Sequence, residues 1–148
     1  MMRVLAVASG GGHWEQLLLL RDAFSRHEIH FATTSKVSKH EIGAISVQIL
    51  PDCNLRQPLR TLECAVRSAF LIARLRPQIV ISTGAAPGLL CIFWGRVMGA
   101  RTLWIDSIAN ADRLSLSGRL AMRIAHRCLT QWEHLARERT VHYAGALL

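Results

Sequence analysis

The residues that could do chemistry in this 148-residue sequence lie in four short stretches and along one helix. The first stretch is Ser9-Gly10-Gly11-Gly12-His13. It separates an apolar run, Arg3 to Ala8, from a helical pattern carried by Leu17, Leu18, Leu20, Ala23 and Phe24. A glycine turn that opens a helix points backbone N–H groups and the positive end of the helix dipole at an anion. His13 adds a side chain that exchanges protons near neutral pH. The loop is not a dinucleotide fingerprint: Glu15 stands where a third glycine belongs, and Thr33-Thr34-Ser35 offers no acid for a ribose. No Walker lysine follows either. Nicotinamide and P-loop chemistry are therefore disfavoured, and a plain tight turn is the alternative for the loop taken alone.

The second stretch is Ser82-Thr83-Gly84-Ala85-Ala86-Pro87-Gly88, a glycine turn after another apolar run, with Pro87 suited to a first helical turn. Thr83 and Gly84 should share a cleft with the first loop, since ligands of open α/β sheets sit beyond the carboxyl ends of strands. The third is Trp104-Ile105-Asp106-Ser107-Ile108-Ala109-Asn110. Asp106 followed by Ser107 and Asn110 suits recognition of sugar hydroxyls, although a lone Asp also caps turns. The fourth is Gln131-Trp132-Glu133, where Trp132 is a stacking platform or a satellite of the core. His27 and His30 read as surface residues rather than a ligand pair.

The elements needed to position these stretches alternate. Strands are expected at Arg3 to Ala8, Ile29 to Thr33, Ser46 to Leu50, Gln78 to Ser82, Arg101 to Ile105, Cys128 to Gln131 and Val141 to Tyr143. Helices are expected after Gly12 and over Leu59 to Leu75, Leu89 to Met98 and Leu116 to Ala125. A polar loop covers Pro51 to Pro58. The alternation implies an α/β fold, a Rossmann-like parallel sheet with helices on both faces. On the helix from Leu59, residues Leu59, Leu62, Val66, Ala69, Phe70 and Ala73 share a broad face, the expected core face. Arg60, Arg67 and Arg74 recur every seven residues and form one row, with Cys64, Leu71 and Leu75 beside it on the far side. Arginines beside apolar residues suit a helix lying on an anionic membrane. Pairing of that row through Glu63 on a solvated face is the alternative.

Composition bounds the rest. A chain of this size buries enough surface to fold without disulfides or metals. Cys53, Cys64, Cys91 and Cys128 show no C-x-x-C spacing, so reduced thiols and no metal site are expected. The residues are 51% hydrophobic and 19% charged, with mean hydropathy +0.23, which excludes a disordered chain. Net charge is +8, and sixteen of the eighteen basic residues are arginine, the side chain that grips phosphate bidentately. A phosphate-bearing partner or anionic surface follows, unless arginine is merely abundant in the source proteome. Aromatic content of 6% offers few stacking platforms, so a nucleic-acid-binding module explains the arginines but not the glycine turns. No stretch reaches the apolar length of a spanning helix, and the apolar run before the glycines is too short for a signal peptide. The reading is a cytoplasmic protein.

Taken in order, SGGGHWEQ, ISTGAAPG, WIDSIANADRLSLSGRLA, TQWEHLA and YAGALL resemble the exopolysaccharide-biosynthesis glycosyltransferase subunit called PssD. They are also similar to the eukaryotic asparagine-linked-glycosylation-fourteen family, whose members recruit a catalytic partner to the membrane. The resemblance covers essentially the whole chain. It implies one domain over residues 1–148, equivalent to the N-terminal, acceptor-binding half of a GT-B glycosyltransferase related to MurG. The donor-binding half is then expected on a separate chain. By this resemblance Gly10, Gly11 and Gly12 hold the acceptor diphosphate, with Thr83, Gly84, Asp106, Ser107 and Asn110 nearby. His13 matches a proposed base, and Gln131 and Trp132 face the cleft or the partner. No cofactor and no metal are implied. Eukaryotic members carry an N-terminal membrane anchor; the expectation here is a chain without one, which favours the bacterial branch.

The sequence thus points to a glycosyltransferase subunit, peripheral on the inner face of the cell membrane. Its implied partners are a donor-binding catalytic subunit, a nucleotide-sugar held by that subunit, a polyprenyl-diphosphate-linked acceptor and the membrane surface, with no nucleic acid. The competing reading is a non-catalytic membrane scaffold for the catalytic partner. His13 is either the base that takes the acceptor's proton or a cation that donates to phosphate.

Overall fold

The computed structural model describes residues 1–36, 46–54 and 56–147. Leu55, inside the expected polar loop, and Leu148, the last residue of YAGALL, lie outside them. Strands β1 (Arg3–Ala8), β2 (Glu28–Thr33), β3 (Ser46–Ile49), β4 (Ile79–Gly84), β5 (Arg101–Ile105), β6 (Arg127–Thr130) and β7 (His142–Tyr143) form one sheet in the order β3-β2-β1-β4-β5-β6-β7. Every neighbouring pair among them is parallel. The α-helices among the described residues are α1 (Gly12–Leu19), α2 (Pro58–Leu75), α3 (Ala85–Val97) and α4 (Leu116–Ile124). The expected α/β Rossmann-like fold is the observed one.

Alternation of side chains along β1 divides the core. Leu5 and Val7 join Cys64 and Ile72 of α2, Cys91 and Ile92 of α3, Trp104 of β5 and Ala121 of α4 on one face. Ala6 and Ala8 pack on the other face with Trp14 and Leu17 of α1 and Phe31 of β2. Both faces of β1 are therefore dry, which is why its sequence is continuously apolar rather than alternating. All four cysteines are free and buried. Burial pushes the Cys53, Cys91 and Cys128 thiols up to about 12, so they stay protonated.

Three expectations are corrected. First, α2 is turned over. Leu59, Leu62, Val66 and Phe70 are exposed, at 82%, 62%, 60% and 67%, while Cys64, Ser68 and Ile72 are buried. Leu71 and Leu75 pack half-buried against the core. The helix carries apolar residues on two opposite faces, so periodicity alone does not choose between them. The small Cys64 and Ser68 decide it, because they let α2 approach α3 closely where leucines would hold it off. Arg60, Arg67 and Arg74 are exposed and run between the stripe of Leu59, Leu62, Val66 and Phe70 on one side and the half-buried Leu71 and Leu75 on the other.

Second, α3 begins at Ala85, not Leu89. Gly84 (φ 148°) and Ala85 (φ 67°) reverse the chain at once, so the anticipated loop becomes a strand end and a first helical turn. Pro87 sits in that first turn, where its missing N–H leaves no intrahelical bond broken. Third, His30 is buried, with its ring bonded to Ser46 and Glu28.

The two faces of α2 separate in a stability measurement. Ile72→Ala should cost about 2–5 kcal/mol in urea unfolding, the range for truncating a fully buried aliphatic side chain. Phe70→Ser should stay within about 0.5 kcal/mol, as an exposed position does. The reverse ranking would restore the core face anticipated from periodicity.

Candidate functional site

β1 and β4 are adjacent and parallel, so their carboxyl ends lie side by side. Each feeds a helix, and the first turns of α1 and α3 come to the same edge of the sheet. Gly11 is the N-cap of α1 with φ 73°, a conformation glycine takes without the Cβ clash that other residues suffer. Gly11 and Gly12 are exposed, leaving the first-turn amides of α1, which have no intrahelical partner, open to the surface. Gly10 sits slightly deeper, and its N–H donates to Thr34 Oγ1 at 3.0 Å.

His13 is clamped at this edge. Its Nδ1 donates to the Thr83 carbonyl at 3.2 Å, and Thr83 Oγ1 donates back to the His13 carbonyl at 2.7 Å. A carbonyl oxygen only accepts, so Nδ1 carries the proton, and in the neutral ring Nε2 is the acceptor. Gly84 lies beneath the imidazole: a Cβ there would fall inside contact distance of Nδ1 and Cε1. The left-handed Ala85 that follows is a strained non-glycine residue, a conformation costing on the order of 1 kcal/mol.

Behind this edge lies a buried polar knot. Gln16, on the inward side of α1, donates through Nε2 to the Gly12 carbonyl at 3.3 Å and to Ser107 Oγ at 3.0 Å. Its Oε1 accepts from the Ile108 N–H at 3.1 Å and from Gln131 Nε2 at 2.6 Å. Gln131 also donates to the Asp106 carbonyl at 3.0 Å and accepts from the Leu147 N–H at 3.0 Å. Asp106 takes Trp104 Nε1 (3.0 Å) and Ser115 Oγ (2.7 Å) on Oδ1, and Asn110 Nδ2 (3.1 Å) and the Ser115 N–H (3.0 Å) on Oδ2.

This geometry reassigns several anticipated ligand contacts. Asp106 is 1% exposed and both its carboxylate oxygens are occupied, so it organises the loop after β5 rather than meeting a sugar hydroxyl. Thr83, Ser107 and Gln131 are likewise buried and bonded internally. Asn110 spends its amide on Asp106. Trp132 is half-buried, its Nε1 donating to the Ile108 carbonyl at 2.7 Å. Gly11, Gly12 and His13 are the anticipated residues that remain open at the edge. Arg60, Arg67 and Arg74 lie on α2, on the outer surface of the helical layer. Gln16 and Ser115 were missed. The signal for Gln16 was a polar residue on the inward side of an apolar helix, and a buried amide there demands partners.

The knot gives a stability prediction. Asp106→Ala removes a charged acceptor with four donors and leaves the buried Trp104 Nε1 unpaired. The expected cost is on the order of 3 kcal/mol, read as a lower urea midpoint with the slope unchanged. A loss under about 1 kcal/mol, less than one charged hydrogen bond, would mean that Asp106 does not hold this loop.

The profile of the family described as "Oligosaccharide biosynthesis protein Alg14 like" matches residues 4–147. A curated relative, "UDP-N-acetylglucosamine transferase subunit ALG14" of Eremothecium gossypii, is 35% identical over 91 residues, 57% of this chain and 41% of that protein. The protein of the same name from Candida albicans is 31% identical over 88 residues, covering 55% of this chain and 40% of its own length. The aligned part is thus about two-fifths of each curated relative. Among solved structures, Acinetobacter baumannii MurG superposes with a TM-score of 0.78 at 12% identity, over 97% of this chain and 45% of that one. A UDP-N-acetylglucosamine 2-epimerase from Rickettsia bellii gives 0.71 at 12% identity, over 99% and 45%. At these identities the likeness is one of fold: a Rossmann-like domain such as forms the N-terminal half of a GT-B glycosyltransferase. The profile match runs through every strand, turn and helix that builds the edge around His13, and this chain belongs to the Alg14-like family.

Proposed function

We propose that this chain is the acceptor-binding and membrane-recruiting subunit of a two-component glycosyltransferase. With a separate donor-binding chain, it transfers a sugar from a nucleotide-sugar to a polyprenyl-diphosphate-linked saccharide in polysaccharide or oligosaccharide biosynthesis. The observation that carries the reading is the clamped His13 beside the exposed first turn of α1. The first-turn amides around Gly11 and Gly12 receive the acceptor diphosphate. His13 Nε2 takes the proton of the acceptor hydroxyl as its oxygen bonds to the anomeric carbon, and the bond from that carbon to the nucleotide diphosphate breaks. The partner receives the leaving diphosphate. Thr83 and Gly84 serve this step by holding the ring in its tautomer and place.

Reconstitution tests the reading. The purified chain alone should transfer nothing from a UDP-sugar, and adding its partner should restore transfer. In the pair, His13→Ala should lower kcat by roughly 10²–10⁴-fold with acceptor KM nearly unchanged, if His13 is the base. If His13 instead grips phosphate as a cation, KM rises and His13→Lys partly rescues it. Changes under about threefold in both, far below a general-base contribution, would sink both roles. The non-catalytic scaffold would then stand, a reading favoured by the internal use of Asp106, Ser107 and Gln131.

Membrane recruitment rests on the outer face of the helical layer. Beside the α2 stripe, Phe93 and Val97 of α3 and Leu116 and Leu120 of α4 are also exposed. Arg60, Arg67, Arg74, Arg96, Arg119 and Arg123 are interspersed among them. Exposed apolar residues and arginines on the same three helices fit the headgroup zone of an anionic bilayer. No described helix is long and apolar enough to cross it. Changing Arg60, Arg67 and Arg74 together to glutamine should weaken binding to phosphatidylglycerol vesicles by at most about 3 kcal/mol, about 1 for each arginine. The loss should shrink in high salt. Cosedimentation equal to that of the parent would remove α2 from the membrane face.

A further inference from the structure

A cavity of about 720 Å³ lies between α2 and the β2–β3 edge of the sheet. It runs along the strands, from the starts of β1 and β2 at Arg3 and Glu28 to Ile49 and Leu50 at the carboxyl end of β3. Its walls are apolar: Ile49 and Leu50 on the sheet side, and Val66, Phe70, Leu71 and Leu75 on α2. Arg67 and Arg74 line it on the same helix. The two are seven residues apart, about 10 Å along the axis. Arg67 pairs with Glu63 at 2.8 Å, whereas Arg74 has no carboxylate partner among the described residues.

The floor is polar. His30 Nε2 meets Glu28 Oε1 at 2.8 Å, and Ser46 Oγ lies 2.6 Å from Nδ1. Arg3 Nε donates to the same Glu28 oxygen at 3.3 Å. The His30 hydrogen bond holds the Glu28 carboxyl below its ordinary range, so it remains a carboxylate whose charge Arg3 offsets. Among the described residues, then, the Arg74 guanidinium lines a largely apolar slot without a carboxylate partner. Val66 and Phe70 belong both to this slot and to the exposed stripe of α2, so the slot opens onto the proposed membrane face.

We propose that this cavity binds one molecule of an anionic phospholipid, its acyl chain along Ile49, Leu50, Phe70, Leu71 and Leu75 and its phosphate against Arg74. The volume lies within the range of pockets that enclose small ligands. A guanidinium matches phosphate in charge and in fork geometry. Ser46 and Gln48, on the floor beside the apolar walls, meet the glycerol portion. The inference rests on the membrane reading for the supply of lipid, but the site is a stoichiometric one and not a diffuse surface.

The test titrates the full chain with monomeric lysophosphatidylglycerol below its critical micelle concentration, followed by calorimetry and by native mass spectrometry. One molecule should bind per chain, at least tenfold more tightly than lysophosphatidylcholine. Gln48→Trp, at an exposed edge-strand position lining the slot, should fill it and weaken binding at least tenfold with the melting temperature kept. Arg74→Gln should remove the preference for the anionic head. Gln48→Trp should still cosediment with phosphatidylglycerol vesicles, because the α2 stripe is untouched. Absence of a one-to-one complex, or binding indifferent to both variants, overturns the site even if vesicle binding persists. Loss of vesicle binding by the parent, with the one-to-one complex intact, overturns the membrane reading and leaves the site.

Discussion

The reciprocal pair of bonds between His13 and Thr83 ties the turn after β1 to the end of β4, and the geometry of the candidate site depends on it. One bond fixes the imidazole tautomer and the other fixes the backbone that carries the imidazole. Both act across neighbouring parallel strands, so the register of the sheet sets the position of the ring. Gly84 is the steric counterpart, since a side chain at that residue would occupy the space of the ring. The pair also requires β4 to turn directly into α3, and the left-handed Ala85 records that constraint.

The polar knot of Gln16, Ser107, Gln131 and Asp106 acts one layer behind. A buried amide or carboxylate is costly unless its bonds are made, and here each of these side chains finds its partners within the protein. The knot couples α1 to the loops after β5 and β6, three segments far apart in sequence. It gives the edge rigidity without enclosing it. Such an edge exposes Gly11 and Gly12 at the first turn of α1, next to His13.

The outer surface of the helical layer makes a different demand. Burial of Cys64, Ser68 and Ile72 leaves Leu59, Leu62, Val66 and Phe70 outward, an arrangement that costs a free monomer solubility. Arginines along its border make that surface suited to anionic lipid, and the slot beside Arg74 extends it inward. The candidate site edge and the exposed apolar layer are thus built on different surfaces of the same sheet.

The sequence by itself determined the strands and the order of elements, because apolar runs and glycine turns are local signals. Continuous apolar strands alternating with helices left a doubly covered parallel sheet as the solution, and the stretch from Ser9 to His13 marked the turn between β1 and α1. The motif order likewise pointed to the family. Tertiary structure decided which face of α2 is buried, since both carry apolar residues and only contact with α3 selects the small ones. It also decided that Asp106, Ser107 and Gln131 look inward. A carboxylate after a strand reads the same whether its bonds go to ligand or to protein, and the donors that fill Asp106 come from Trp104, Asn110 and Ser115, which only the fold brings around it.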